Sequence, residues 1–77
     1  MKNLYELEDN LIGTVVKLDN QYQSKLRLAE MGVMPGVDIR MVKKSPLGGP
    51  VQIKINNYYL TLRKEDAILI YVENLQS

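Results

Sequence analysis

Apolar and polar positions alternate with a period of two over most of this chain, and that alternation predicts a sheet. Val51, Ile53 and Ile55 alternate with Gln52, Lys54 and Asn56, and Tyr58, Leu60 and Leu62 alternate with Tyr59, Thr61 and Arg63. The Asn56-Asn57 pair between them suits a two-residue hairpin, because asparagine tolerates the positive φ such turns need. Val37, Ile39 and Met41 alternate with Asp38, Arg40 and Val42 in a further half-buried strand. Leu11 to Leu18 is rich in β-branched residues and reads as the first strand, with Ile12, Val16 and Leu18 on one side and Thr14 between them. Ile68, Ile70 and Val72 close the sheet. Ahead of all this, Leu4, Tyr5 and Leu7 are packing anchors in a mixed, acidic stretch.

The period changes once, over residues 21–31, where a helix is predicted. Asn20 is its N-cap, Gln23 completes a capping box, and Gly32 takes the left-handed position that stops it. Met34-Pro35-Gly36 then turns the chain into the next strand. The helix carries two apolar sets, Tyr22, Leu26 and Ala29 on one face and Leu28 and Met31 on another. One set faces the sheet and the other is exposed; spacing alone does not say which. Ser45 to Pro50 is a glycine-rich connection between strands, and Lys64-Glu65-Asp66 makes a short turn.

Five short strands joined by tight connections bury one face in so short a chain only by curling. The expected architecture is mainly β: a small five-stranded SH3-like barrel with one α-helix inserted between strands 1 and 2. All 77 residues form one domain, with its core at about 11–73. A domain of this size hides only about 60% of the surface its unfolded chain exposes, so its core is thin.

Composition narrows the function further. The chain has no cysteine and no histidine, which removes thiolate nucleophiles, the commonest general base and the commonest transition-metal ligands. Ser24, Ser45 and Ser77 have no histidine to activate them, and Gly48-Gly49 lacks the Lys-Ser/Thr partner of a phosphate loop. The acidic groups, Glu6, Glu8 and Asp9 and then Glu65-Asp66, lie in predicted turns, where they are solvated. These absences point away from an enzyme and toward a binding or regulatory module without catalytic, cofactor or metal residues. Ten basic against nine acidic residues give a net charge of +1, too little for binding to a nucleic-acid backbone. No apolar run approaches the roughly 20 residues that span a bilayer, and no signal-peptide segment opens the chain, so a cytoplasmic protein without membrane insertion is expected.

One run of residues carries a resemblance. Leu28, Met31, Gly32, Pro35 and Gly36, then Pro46, Leu47, Gly48 and Pro50, then Leu62-Arg63 and finally Ala67, Ile70 and Val72 resemble the motifs of the ferrous iron transport protein A family (FeoA). The resemblance implies the same SH3-like fold. It also implies a small cytoplasmic regulator of iron uptake that binds the cytoplasmic part of a membrane ferrous-iron transporter with a GTP-hydrolysing domain. The family also carries a transition-metal-binding label, for which this chain offers neither histidine nor cysteine. With the helix-end leucine inside the family's motif, the expected partner patch is Leu28 with Met31, extended by Val33 and Met34. The strand face at Tyr59 and the loop at Leu47 come next. A weak homodimer through the exposed helix face is a further expectation. Two rival readings use the same barrel: the interaction module of a metal-dependent regulatory system, and a nucleic-acid-associated barrel using Lys43, Lys44, Lys54, Arg63 and Lys64 with Tyr59.

Overall fold

The alternating segments become one antiparallel sheet in the computed structural model, which describes residues 1–19 and 22–74. Its strands are β1 (Lys2–Asn3), β2 (Ile12–Leu18), β3 (Asp38–Lys44), β4 (Val51–Ile55), β5 (Tyr58–Leu62) and β6 (Ile70–Asn74), in the spatial order β1-β6-β2-β3-β4-β5. Helix α1 (Tyr22–Glu30) lies between β2 and β3 in the chain, and a one-turn helix α2 (Lys64–Ala67) joins β5 to β6. The Asn20 cap expected for α1 lies outside the described residues.

The hairpin at Asn56-Asn57 has the expected register, pairing Ile55 with Tyr58, Ile53 with Leu60 and Val51 with Leu62. Asn56 has φ 53°, the left-handed conformation such a turn demands. Ile39, Met41, Val51, Ile53, Ile55, Ile70 and Val72 are all fully buried in one cluster, together with Leu4 and Leu7 from the N-terminal segment. One cluster fed by β2 through β6 requires the sheet to curl around it.

Two expectations are corrected here. The sheet has six strands, not five: β1 pairs with β6 through Lys2–Val72 and Asn3–Tyr71. Two residues are too short to show a period, but their continuation is legible in hindsight. Asn3 caps a 3₁₀ turn at Leu4–Glu6, its side chain accepting from the Glu6 amide at 3.1 Å while its own amide donates to Glu6 Oε1 at 2.9 Å. Among the described residues no ladder joins β1 to β5, so the curled sheet keeps two edges. The inward side of β2 is also different. Val15 is buried, whereas Ile12 is 36% exposed and Val16 half-buried. A bulge between Val15 and Lys17 inserts a residue and breaks the count of two.

Helix α1 turns Leu28 into the core and leaves Leu26 49% exposed. Its end is fixed by a Schellman arrangement: the Val33 amide donates to the Leu28 carbonyl and the Gly32 amide to the Ala29 carbonyl, both at 2.9 Å. Leu28 and Val33, the apolar pair that flanks this motif, are both fully buried. The Tyr58 hydroxyl donates to the Met31 carbonyl, which ties the helix end to β5. Asp66 is the other tie. Contrary to the solvated turn expected for it, Asp66 is buried and accepts from Arg27 of α1.

Gly32 has φ +92°, and a Cβ there would meet the Tyr58 hydroxyl oxygen at 2.5 Å. Gly32→Val should therefore lose both the left-handed stop and the Tyr58 bond, about 2–4 kcal/mol together. Gln52→Val, on an exposed strand position, should stay within about 0.5 kcal/mol of the parent. Urea denaturation of the two variants checks the difference; equal midpoints would contradict this account of the helix stop.

Candidate partner-binding surface

The residues expected to meet a partner divide by burial. Leu28 and Val33 have no exposed surface, so the exposure expected of them is overturned. The Schellman pairing that ends the helix pulls both toward the core. Met31 is half-buried against the same cluster, and its carbonyl is occupied by Tyr58. Met34 is 45% exposed just past the helix stop, Tyr59 is 55% exposed on β5, and Leu47 is wholly exposed. The accessible part of the expected patch is thus Met34, Leu47 and Tyr59, and Leu26 is the large apolar side chain that the helix exposes among its described residues.

Leu47 is the most unusual of these. It sits in a turn closed by the Gly49 amide donating to the Pro46 carbonyl at 3.3 Å, inside an outer bond from the Ser45 amide to the Pro50 carbonyl at 2.9 Å. Both central residues have positive φ, 62° at Leu47 and 73° at Gly48, the signature of a type I′ turn. Glycine or asparagine is at ease at the first of these positions; a leucine there is strained by about 1–2 kcal/mol. Its side chain gains no burial in return.

The base of this loop is held by Tyr5. Its ring has the Lys44 ammonium 5.6 Å from the centroid and the Lys64 ammonium at 5.2 Å, and its hydroxyl lies 3.5 Å from the Gly49 carbonyl oxygen. Two cations on one ring bring β3, α2 and the N-terminal 3₁₀ turn together under an exposed leucine. Lys54 is elsewhere, 5.7 Å from the centroid of Tyr59. Lys17 lies over a third ring, 5.4 Å from the centroid of Tyr71, so these lysines divide among three tyrosines. Among the described residues, His, Cys, Asp and Glu form no group of three or more able to hold a metal ion. No helix among them is long and apolar enough to cross a membrane.

Comparison with known proteins fits this geometry. The family model of the FeoA domain matches residues 2–74. Over 96% of its length the chain is 35% identical to an Fe(2+) transport protein A/Fe(2+) transporter FeoB fusion protein of Porphyromonas gingivalis, and it spans only 9% of that protein. The solution structure of iron(II) transport protein A from Clostridium thermocellum superposes with a TM-score of 0.88 at 36% identity, covering 95% of this chain and 45% of that one. The crystal structure of Stenotrophomonas maltophilia FeoA with zinc, described as a procaryotic SH3 domain protein, superposes with a TM-score of 0.81 at 27% identity. That match covers 95% of this chain and 91% of the other.

Leu28 and Leu47 should respond oppositely to substitution. Leu28→Gln buries an amide in the core and should cost about 2–5 kcal/mol, enough to unfold much of the population. Leu47→Gly should relieve the strained turn and raise the melting temperature by roughly 4–8 °C, the shift for about 1 kcal/mol in a domain of this size. Calorimetric melting of both variants checks the assignment of one leucine to the core and the other to the surface.

Proposed function

The chain belongs to the FeoA domain family, and from that premise we propose that it is a non-enzymatic accessory protein of ferrous iron uptake, acting in the cytoplasm on the cytoplasmic part of a membrane iron transporter that carries a GTP-hydrolysing domain. The observation that carries this reading is the relative in which Fe(2+) transport protein A and the transporter FeoB are fused. Fusion holds two modules at a high effective concentration, which is useful when they work in contact. A domain that works by such contact presents a surface with affinity for the transporter.

Leu47 supplies the centre of that surface. A leucine held outward by a strained turn is preorganised: it enters a partner's apolar pocket without first being ordered. Lys44 and Lys64 beneath it form a charged rim around an apolar centre. Met34 and Tyr59 are the other expected residues with accessible apolar surface. The absence of histidine and cysteine fits a role through contact and not through iron carriage.

The test is binding of the purified chain to the transporter's purified cytoplasmic domain, measured by biolayer interferometry with and without guanine nucleotide. The parent should bind saturably. Leu47→Gly should weaken binding by about 30-fold or more, the loss expected when an anchor residue is removed, while folding at least as well as the parent. No binding by the parent would overturn the functional reading. Parent-like binding by Leu47→Gly would leave that reading standing and remove Leu47 from the contact.

A further inference from the structure

A second surface lies on the outer face of the sheet. Ladder pairing places Ile12 opposite Arg40, Arg40 opposite Lys54, and Lys54 opposite Tyr59. Four strands thus present one continuous row, about 14 Å long at the usual strand spacing, with two cations in the middle and an apolar group at each end. Ile12, Arg40 and Tyr59 are exposed and Lys54 is half-buried. The row opens into a groove of about 530 Å³, which Ile12, Arg40 and Lys54 line with Asp38.

The charges in this row are not explained by the fold. Like charges directly opposite each other on neighbouring strands are destabilising. Lysines that guard a sheet against aggregation stand on its edges, but β3 and β4 are interior strands. Among the described residues Arg40 has no ion pair or side-chain hydrogen bond, and Lys54 has only the ring of Tyr59. The one carboxylate in the groove, Asp38, accepts from Thr14 Oγ1 at 2.7 Å, a bond across the ladder pair next to Arg40. Lys43 adds a third cation on an exposed position of β3. The whole chain is nearly neutral, at +1, so this is a local excess.

We infer that the row Ile12–Arg40–Lys54–Tyr59 is a docking surface for an acidic segment of a partner protein, one that carries carboxylates between apolar side chains. Charge complementarity selects the occupant. The Arg40 guanidinium offers a planar fork suited to a carboxylate, Lys54 adds a second positive charge beside it, and Ile12 and Tyr59 supply apolar contact at the two ends. Two or three cations are too few to track a nucleic-acid backbone. This surface is distinct from the Leu47 loop, and the inference holds whichever protein the domain serves.

The test is a backbone-amide NMR titration of the full chain with the synthetic peptide Leu-Glu-Asp-Glu-Leu, capped at both ends, and with its neutral analogue Leu-Gln-Asn-Gln-Leu. Oligothymidylate and phosphatidylglycerol vesicles are titrated in parallel. The acidic peptide should shift the amides of Ile12, Arg40, Lys54 and Tyr59 saturably, and the neutral one should bind about tenfold more weakly or worse. Lys54→Glu should lose about tenfold in peptide affinity yet melt no lower than the parent, because it replaces a repulsion with an Arg40–Glu pair. Arg40→Gln should also lose about tenfold. The inference is overturned if the acidic peptide causes no saturable shift, if the shifts fall elsewhere, or if the neutral peptide binds equally well. It is equally overturned if either variant binds like the parent, if Lys54→Glu melts well below it, or if oligothymidylate or vesicles saturate the row at lower concentration than the peptide.

Discussion

The helix α1 and the strands β2 to β6 depend on burying their apolar side chains in one small core. Leu28 and Val33 show the constraint at its most local. They flank a glycine with φ +92°, and the two backbone bonds that stop the helix bring both into the same cluster. The helix direction, the entry into β3 and the closeness of Tyr58 to the Met31 carbonyl all follow from that stop. In a larger domain a helix end can wander without disturbing the core. Here the helix supplies Leu28 to a core that has few alternatives, and a slip of one residue would present Arg27 or Ala29 instead.

The same constraint explains where ion pairing is used. Asp66 is buried within α2, and the guanidinium of Arg27 reaches it from α1. Arg27 remains about half exposed, so this pair is screened on one side and contributes modestly. Its value is geometric: it sets α1 against α2, one helical turn before the tie that Tyr58 makes to the Met31 carbonyl. Both ties act on the last turn of a nine-residue helix, and together they fix its rotation and keep the Leu26 face outward.

Much of this was legible in the sequence because the signals were local. The β4–β5 hairpin needed only two alternating runs and a pair of asparagines, and its register follows. The helix stop needed only Gly32. What escaped was non-local. The bulge in β2 has no residue signature, and it puts Val15 inward where the period-two count favoured Ile12 and Val16. The Lys2–Asn3 strand exists only because β6 passes beside it. Leu28 was misplaced as a surface residue because spacing gives a helix two apolar faces without saying which one the sheet covers. The capping geometry at Val33 settles that choice, since a Schellman stop draws its C3 and C″ residues together into apolar contact. Leu47 and Tyr59 were found as candidates, whereas Arg40 was not, because a cation on a strand is ordinary until pairing shows another cation opposite it.

Residues that serve the fold can be separated from those that do not by asking what each contributes where it stands. Ile53 gains burial, Gly32 gains a conformation, and Asp66 gains a partner. Leu47 gains none of these: its backbone is strained and its side chain lies wholly in water. Arg40 gains none either, Lys54 has only the ring of Tyr59, and the two repel each other across an interior ladder. A chain with so thin a core tolerates few such positions, and each is removable by a single substitution that would leave the sheet intact. They stand on two separate surfaces, one an outward leucine in a strained turn and the other a cationic row between apolar ends, and burial in the core accounts for neither.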